Sequence, residues 1–210
     1  METAEPVTTL TDYLLAAVYL IFAWKLFLHA RVARRRSVWW AAAAFVLTAA
    51  AAVFGGSFHW MGGNVLWKLT VYCMGLASFC LVVAAIYSAA GGAARRWLMT
   101  AAAVKLVVYL VWITRYDDFR YVIYDYVVAM MVTLALAAWA NYRHVSGGVI
   151  WIAAAILVTF AASAVQHSGL SLHRHFNHND LFHVIQMGAA WLFYRGFREF
   201  QDYRELSLHR

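Results

Sequence analysis

The chain has 210 residues, 64% of them hydrophobic and only 13% charged, with a mean hydropathy of +0.63 and a net charge of +7. Soluble domains carry roughly 25% charged residues, so a water-soluble fold of this size is excluded as a place to hide so much apolar surface, and lipid is the expected solvent. A nucleic-acid role would need one basic face with aromatic platforms, which the sequence lacks, so the positive balance is read as charge asymmetry across a membrane.

The first eleven residues are acidic and lack a basic n-region. They do not resemble a cleaved signal peptide, and the first apolar segment is expected to stay in the mature protein. A membrane span needs about 20 mainly apolar residues. Seven segments qualify, at residues 9–30, 38–61, 65–90, 97–115, 121–142, 149–169 and 180–200. The expected fold is therefore all-α, a seven-transmembrane-helix bundle in which residues 1–210 form a single integral membrane domain. One proline in the whole chain leaves no sign of a linker.

In chain order, the second segment is rich in alanine between Ala41 and Ala52, which suits close helix packing in lipid. It ends on Gly55-Gly56-Ser57-Phe58-His59, and Gly62-Gly63-Asn64 is a turn signal. The third opens near Lys68 and carries Cys73 and Cys80. Two cysteines seven apart share a helix face but stand too far apart to bridge, so both are expected to be free packing residues. The fourth segment holds Lys105 roughly 15 Å from either end, at a rise of about 1.5 Å per residue. Lys105 should face the bundle, as a structural hydrogen-bond donor or a contact to a ligand deep inside. The fifth carries Asp125 one turn in, the sixth ends at His167, and the seventh begins in the run Phe176-Asn177-His178-Asn179-Asp180-Leu181-Phe182-His183.

Short loops make neighbouring spans antiparallel. One side then holds Arg31, Arg34, Arg35, Arg36, Arg95, Arg96, Arg143, Arg195, Arg198, Arg204 and Arg210, and the other Lys68, Arg115, Arg120 and Arg174. The excess places the first side in the cytoplasm, with the N-terminus outside and the C-terminus inside.

This orientation gathers His59, His167, His173, His175, His178 and His183 on the outer side, with Lys68 and Asp125. Ionisable groups at membrane depth are costly and need a partner or a task. Asn179, His183 and Gln186 share a stripe at i, i+4, i+7, flanked by Asp180. The ordinary explanations are an N-cap for Asn177 or Asn179, an interhelical hydrogen bond for Gln186, and for Lys68 and Asp125 either mutual pairing or snorkelling. His173 and His175 are expected in solvated loop. The functional explanation is a metal centre. Zinc takes three protein ligands in catalytic sites and activates a water in the fourth position. His59, His178 and His183 are the candidate ligands. Asp180 would orient a ligand or act as base, and Ser57 or Lys68 would steady an oxyanion. Asp125, His167, Asn179 and Gln186 would line the pocket.

The arrangement resembles the CREST superfamily of seven-span hydrolases and receptors, which includes the alkaline ceramidases and the progestin and adipoQ receptors. His59 matches by position that family's histidine at the end of helix two. The run Asn179-Asp180-Leu181-Phe182-His183-Val184 resembles H-Q-x-F-H-V, with His183 on the second histidine. The resemblance implies a zinc amidase site built from those histidines with a serine and an aspartate. The first helix-seven histidine of the pattern falls here on Asn179, its serine on Gly55, and its helix-three aspartate has no counterpart. Residues 176–196 also resemble an uncharacterised bacterial membrane family with F-N-H-N-D-L-[FY]-H near its end, which implies a bacterial inner membrane.

Three functions follow as expectations. The first is a zinc-dependent hydrolase acting on a lipid amide or ester, in which helices two and seven meet side by side and their imidazoles converge. The second is a non-enzymatic protein holding a lipid or small amphiphile in the same pocket through His59, Asp125, His183 and Gln186. The third is haem ligation between His59 and His183 or His167.

Overall fold

A computed structural model describes residues 5–143, 145–173 and 176–203. Arg174, His175, Arg204 and Arg210 of the charge and histidine patterns lie outside the described residues. Among the described residues the chain forms seven helices and no strand: α1 (Pro6–Ala33), α2 (Arg36–Met61), α3 (Asn64–Ala89), α4 (Gly92–Arg115), α5 (Phe119–Tyr142), α6 (Val149–Ser168) and α7 (His178–Arg198). Six of them, α1 to α6, are long and apolar enough to cross a membrane, which marks an integral membrane protein. Helix α7 is 21 residues long but carries Asp180, Arg195 and Arg198 with His178, His183, Asn179 and Gln186, and falls short of that apolar content.

The outer surface is consistent with lipid as solvent. Leu10, Leu14, Leu20, Ile21 and Trp24 of α1 are exposed, as are Val104, Val107, Val108 and Val111 of α4. Apolar patches of this extent would drive aggregation in water. Inside, Ala41, Ala42, Ala44, Ala49, Ala51 and Ala52 of α2 are buried, so backbones approach closely as expected.

The helices form a ring. Helix α1 packs on α2 and α7, α2 on α3, α3 on α5, and α6 on α7, while α5 and α6 close the circle. Helix α4 stands outside this ring against α3 and α5. Helices two and seven do not pack broadly side by side. They touch only slightly, because α1 lies between them.

Local chemistry sets the helix boundaries. Gly62 and Gly63 take φ of 68° and 103°, turning the chain from α2 to α3 in backbone geometry that side chains disfavour. At Gly148, before α6, φ is +88°, and a Cβ would strike the Gly196 carbonyl of α7. Asp118 caps α5 by accepting from Arg120 N–H, and hydrogen bonds from the Arg120 side chain hold its carboxyl below the usual range. Asn177, not Asn179, is the N-cap of α7, accepting from the backbone of Asn179 (2.8 Å) and Asp180 (3.3 Å). Asp180 Oδ2 accepts in return from Asn177 N–H (2.7 Å), completing a capping box. After α7, Asp202 caps α2 by accepting the N–H groups of Arg36 and Ser37, each at 2.8 Å.

Lys68, Lys105 and Asp125 are paired, but not as the sequence leads one to expect. Lys68 does not reach Asp125. It donates to the Ile113 carbonyl (3.0 Å) and pairs with Asp117 (3.1 Å). Asp125 pairs with Lys105 at 2.6 Å, and Ser78 hydrogen-bonds to both. Lys105 is thus a structural donor, tying α4 to α3 and α5. Cys73 and Cys80 are free.

Candidate functional site

The ring of six helices lines a half-open cavity of about 350 Å³. No residue of α4 lines it. Most of its wall is apolar, with Leu15, Phe58, Val127, Met130, Phe160 and Phe193 among the lining residues. A concave, mainly apolar space with a few convergent polar groups is the usual form of a small-molecule site. The acidic and imidazole groups lie towards the end where α1 and α7 begin and α2 finishes: Asp12, His59 and His183.

Asp12 and His183 form the centre of a buried polar chain, each residue 6% exposed. His183 Nε2 stands 3.2 Å from Asp12 Oδ1. Its other ring nitrogen, Nδ1, lies 2.9 Å from Thr11 Oγ1. Thr11 hydroxyl has two acceptors, the Thr8 carbonyl at 3.0 Å and Asp180 Oδ1 at 3.3 Å. The ring tautomer sets whether Thr11 or His183 Nδ1 donates. Asp180, behind them, is 1% exposed and accepts within the capping box at the positive end of α7. Asp12 Oδ2 is buried without a hydrogen-bond partner. Across the space, His59 Nδ1 lies 3.7 Å from a Glu5 carboxylate oxygen.

The residues singled out in the sequence separate into two groups. His59, Asn179, His183 and Gln186 line the cavity. Asn179 accepts from Gln166 (3.1 Å), and Gln186 accepts from Thr159 (3.2 Å), which is the interhelical role expected for it. Asp180 lies behind the wall as cap and partner of Thr11. His178, His167, Ser57, Lys68 and Asp125 are not among the lining residues. Ser57 donates to the Val53 carbonyl and meets the Tyr13 hydroxyl at 3.0 Å. His178 is the first residue of α7.

Among the described residues no three His, Cys, Asp or Glu side chains are grouped so as to hold a metal ion. Both His183 nitrogens already face protein partners. Among the described residues, no third ligand stands beside His59 and His183 in this arrangement. The residues that sequence reasoning misses are Asp12 and Thr11. The available signal is an aspartate inside the first apolar segment, a position where a charge is costly.

A family model described as a family of unknown function (DUF6962) matches residues 7–202, and the chain belongs to that family. No curated protein and no solved structure matches it.

Proposed function

We propose that this DUF6962 member is a seven-span membrane protein that holds a single-chain amphiphile in the cavity of its six-helix ring. The N-terminal ends of α1 and α7 face outside and the C-terminus faces the cytoplasm, by the arginine excess at the other end. The observation that carries the reading is the cavity itself: about 350 Å³, walled by apolar side chains, with Asp12 and His183 at one end. An acyl or alkyl chain gains by filling apolar space, while a head group finds hydrogen-bonding partners in Asp12, His59, Asn179 and His183.

Trp67 lines the cavity, which allows a direct test. A titration of the purified protein with 12-bromododecanol reads tryptophan quenching by the bromine. Saturable quenching is expected, and it is lost in Ser163→Phe, because Ser163 lines the same space. Quenching that rises without saturation, equally in both proteins, reports mere partitioning into detergent and would falsify the reading.

The zinc-dependent lipid amidase or esterase is the second reading, favoured by His59 and His183 lining one cavity and by the CREST resemblance. Metal analysis of protein purified without chelator separates the two. A stoichiometric transition metal lost in His183→Ala supports the hydrolase, and less than about 0.2 equivalents supports the binding protein; one catalytic zinc per site would give about one.

A further inference from the structure

We infer that the head group read by this cavity is a protonated amine, so that the ligand is a single-chain alkylammonium amphiphile. This rests on the amphiphile-binding reading and deepens it. The first argument is charge. Among the described lining residues there is no lysine or arginine, and the acidic and imidazole side chains are Asp12, His59 and His183. Lys68 and Lys105 are held elsewhere, against Asp117 and Asp125. Asp12 and Asp180 place two carboxyl groups at this end, with Glu5 beside His59. A cationic head therefore meets carboxyl groups with no lysine or arginine of the lining competing for them, whereas a carboxylate or phosphate head adds a further acidic group in a low-dielectric setting. Like charges there repel strongly.

The second argument is hydrogen bonding. Asp12 Oδ1 has one donor partner, His183, and Oδ2 has none although it is buried. A carboxylate oxygen without a donor is costly in such surroundings. An ammonium brings three donors. Placed against Oδ2, it supplies the missing donor while His183 keeps its contacts to Oδ1 and to Thr11. The tail then runs towards Met130, Phe160 and Phe193, which line the same space.

The experiment compares three brominated probes of equal chain length, 12-bromododecylamine, 12-bromododecanol and 12-bromododecanoate, by tryptophan quenching at pH 7. The amine is charged at that pH, as lysine is. Binding is taken as the difference between the native chain and Ser163→Phe, which cancels partitioning into detergent. The amine is expected to bind about tenfold tighter than the alcohol, the scale of one charge-assisted hydrogen bond, and the carboxylate weakest. In Asp12→Asn the amine should fall to the affinity of the alcohol. Equal binding of amine and alcohol in the native chain overturns the amine assignment and leaves the amphiphile reading standing. Tighter binding of the carboxylate does the same. Absence of saturable binding by all three overturns both. The comparison in the native chain decides the matter even if Asp12→Asn does not fold.

Discussion

Thr11 holds His183 in place. Its hydroxyl meets the Thr8 carbonyl, Asp180 and the imidazole Nδ1 at once. Thr11→Val keeps the shape and removes these bonds, leaving His183 Nδ1 and Asp180 Oδ1 without their partner. A cost of about 1–3 kcal/mol is expected, the range for stranding a buried polar group. It would appear as a lower thermal midpoint in detergent, with Thr11→Ser close to the native chain. A midpoint unchanged in Thr11→Val would show that the polar chain contributes nothing. At this scale the sequence is informative about α7 and silent about its partner. His183, Asn179 and Gln186 are legible as a stripe because helix period alone puts them on one face. Asp12 belongs to a helix nearly the whole chain away, and no local pattern reports which helix meets α7. The same reason explains Lys68 and Asp125: both stand out as charges, but their true partners, Asp117 and Lys105, depend on how α4 docks.

Helix α4 is the element whose position is least determined by apolar packing. It lies outside the ring and exposes a valine face, so lipid tails solvate it as well as protein does. Two features fix it. Gly75 of α3 admits the Tyr109 ring, which a Cβ would overlap, and Tyr109 hydroxyl donates to the Val71 carbonyl at 2.8 Å. Lys105 reaches Asp125 and Ser78. Lys105→Met leaves a buried carboxylate unpaired, and a loss of about 3–5 kcal/mol is expected, as for other broken buried pairs. The double variant Lys105→Met with Asp125→Leu should recover most of it. Recovery absent in the double variant would mean the pair is not the fastening. At the opposite side, Asp202 caps α2 across the bundle. Asp202→Ala should cost about 1 kcal/mol, the usual worth of an N-cap, read by denaturant midpoint. Helix boundaries were legible to within a few residues because glycine pairs and apolar runs are local signals. The Asp202 cap was not, since a cap from another part of the chain carries no sequence spacing.

The molecule as a whole is a ring of six helices with a seventh attached, and its apolar girdle requires a membrane. Its asymmetry is one of charge: most arginines lie at one end, most imidazoles and carboxylates at the other. Arg195 stacks over Trp151 and Trp191 and Arg143 over Trp139, as basic and aromatic anchors do at a membrane interface. With Cys73 and Cys80 replaced by alanine, Ser171→Cys should react with a membrane-impermeant maleimide in intact cells, and Ala93→Cys only after permeabilisation. The reverse pattern would invert the orientation. The all-helical class and the seven helices follow from hydropathy, a whole-chain property, and six of the seven are apolar enough to span a membrane. The ring order does not, because α1 separates α2 from α7 through packing that hydropathy cannot encode. The most direct measurement is an experimental structure in lipid nanodiscs equilibrated with dodecylamine. Elongated density inside the six-helix ring, its polar end within hydrogen-bond distance of Asp12, is the result expected here. A space closed by the side chains of Phe160, Met130 and Phe193, or density ending away from Asp12 and His183, would contradict it.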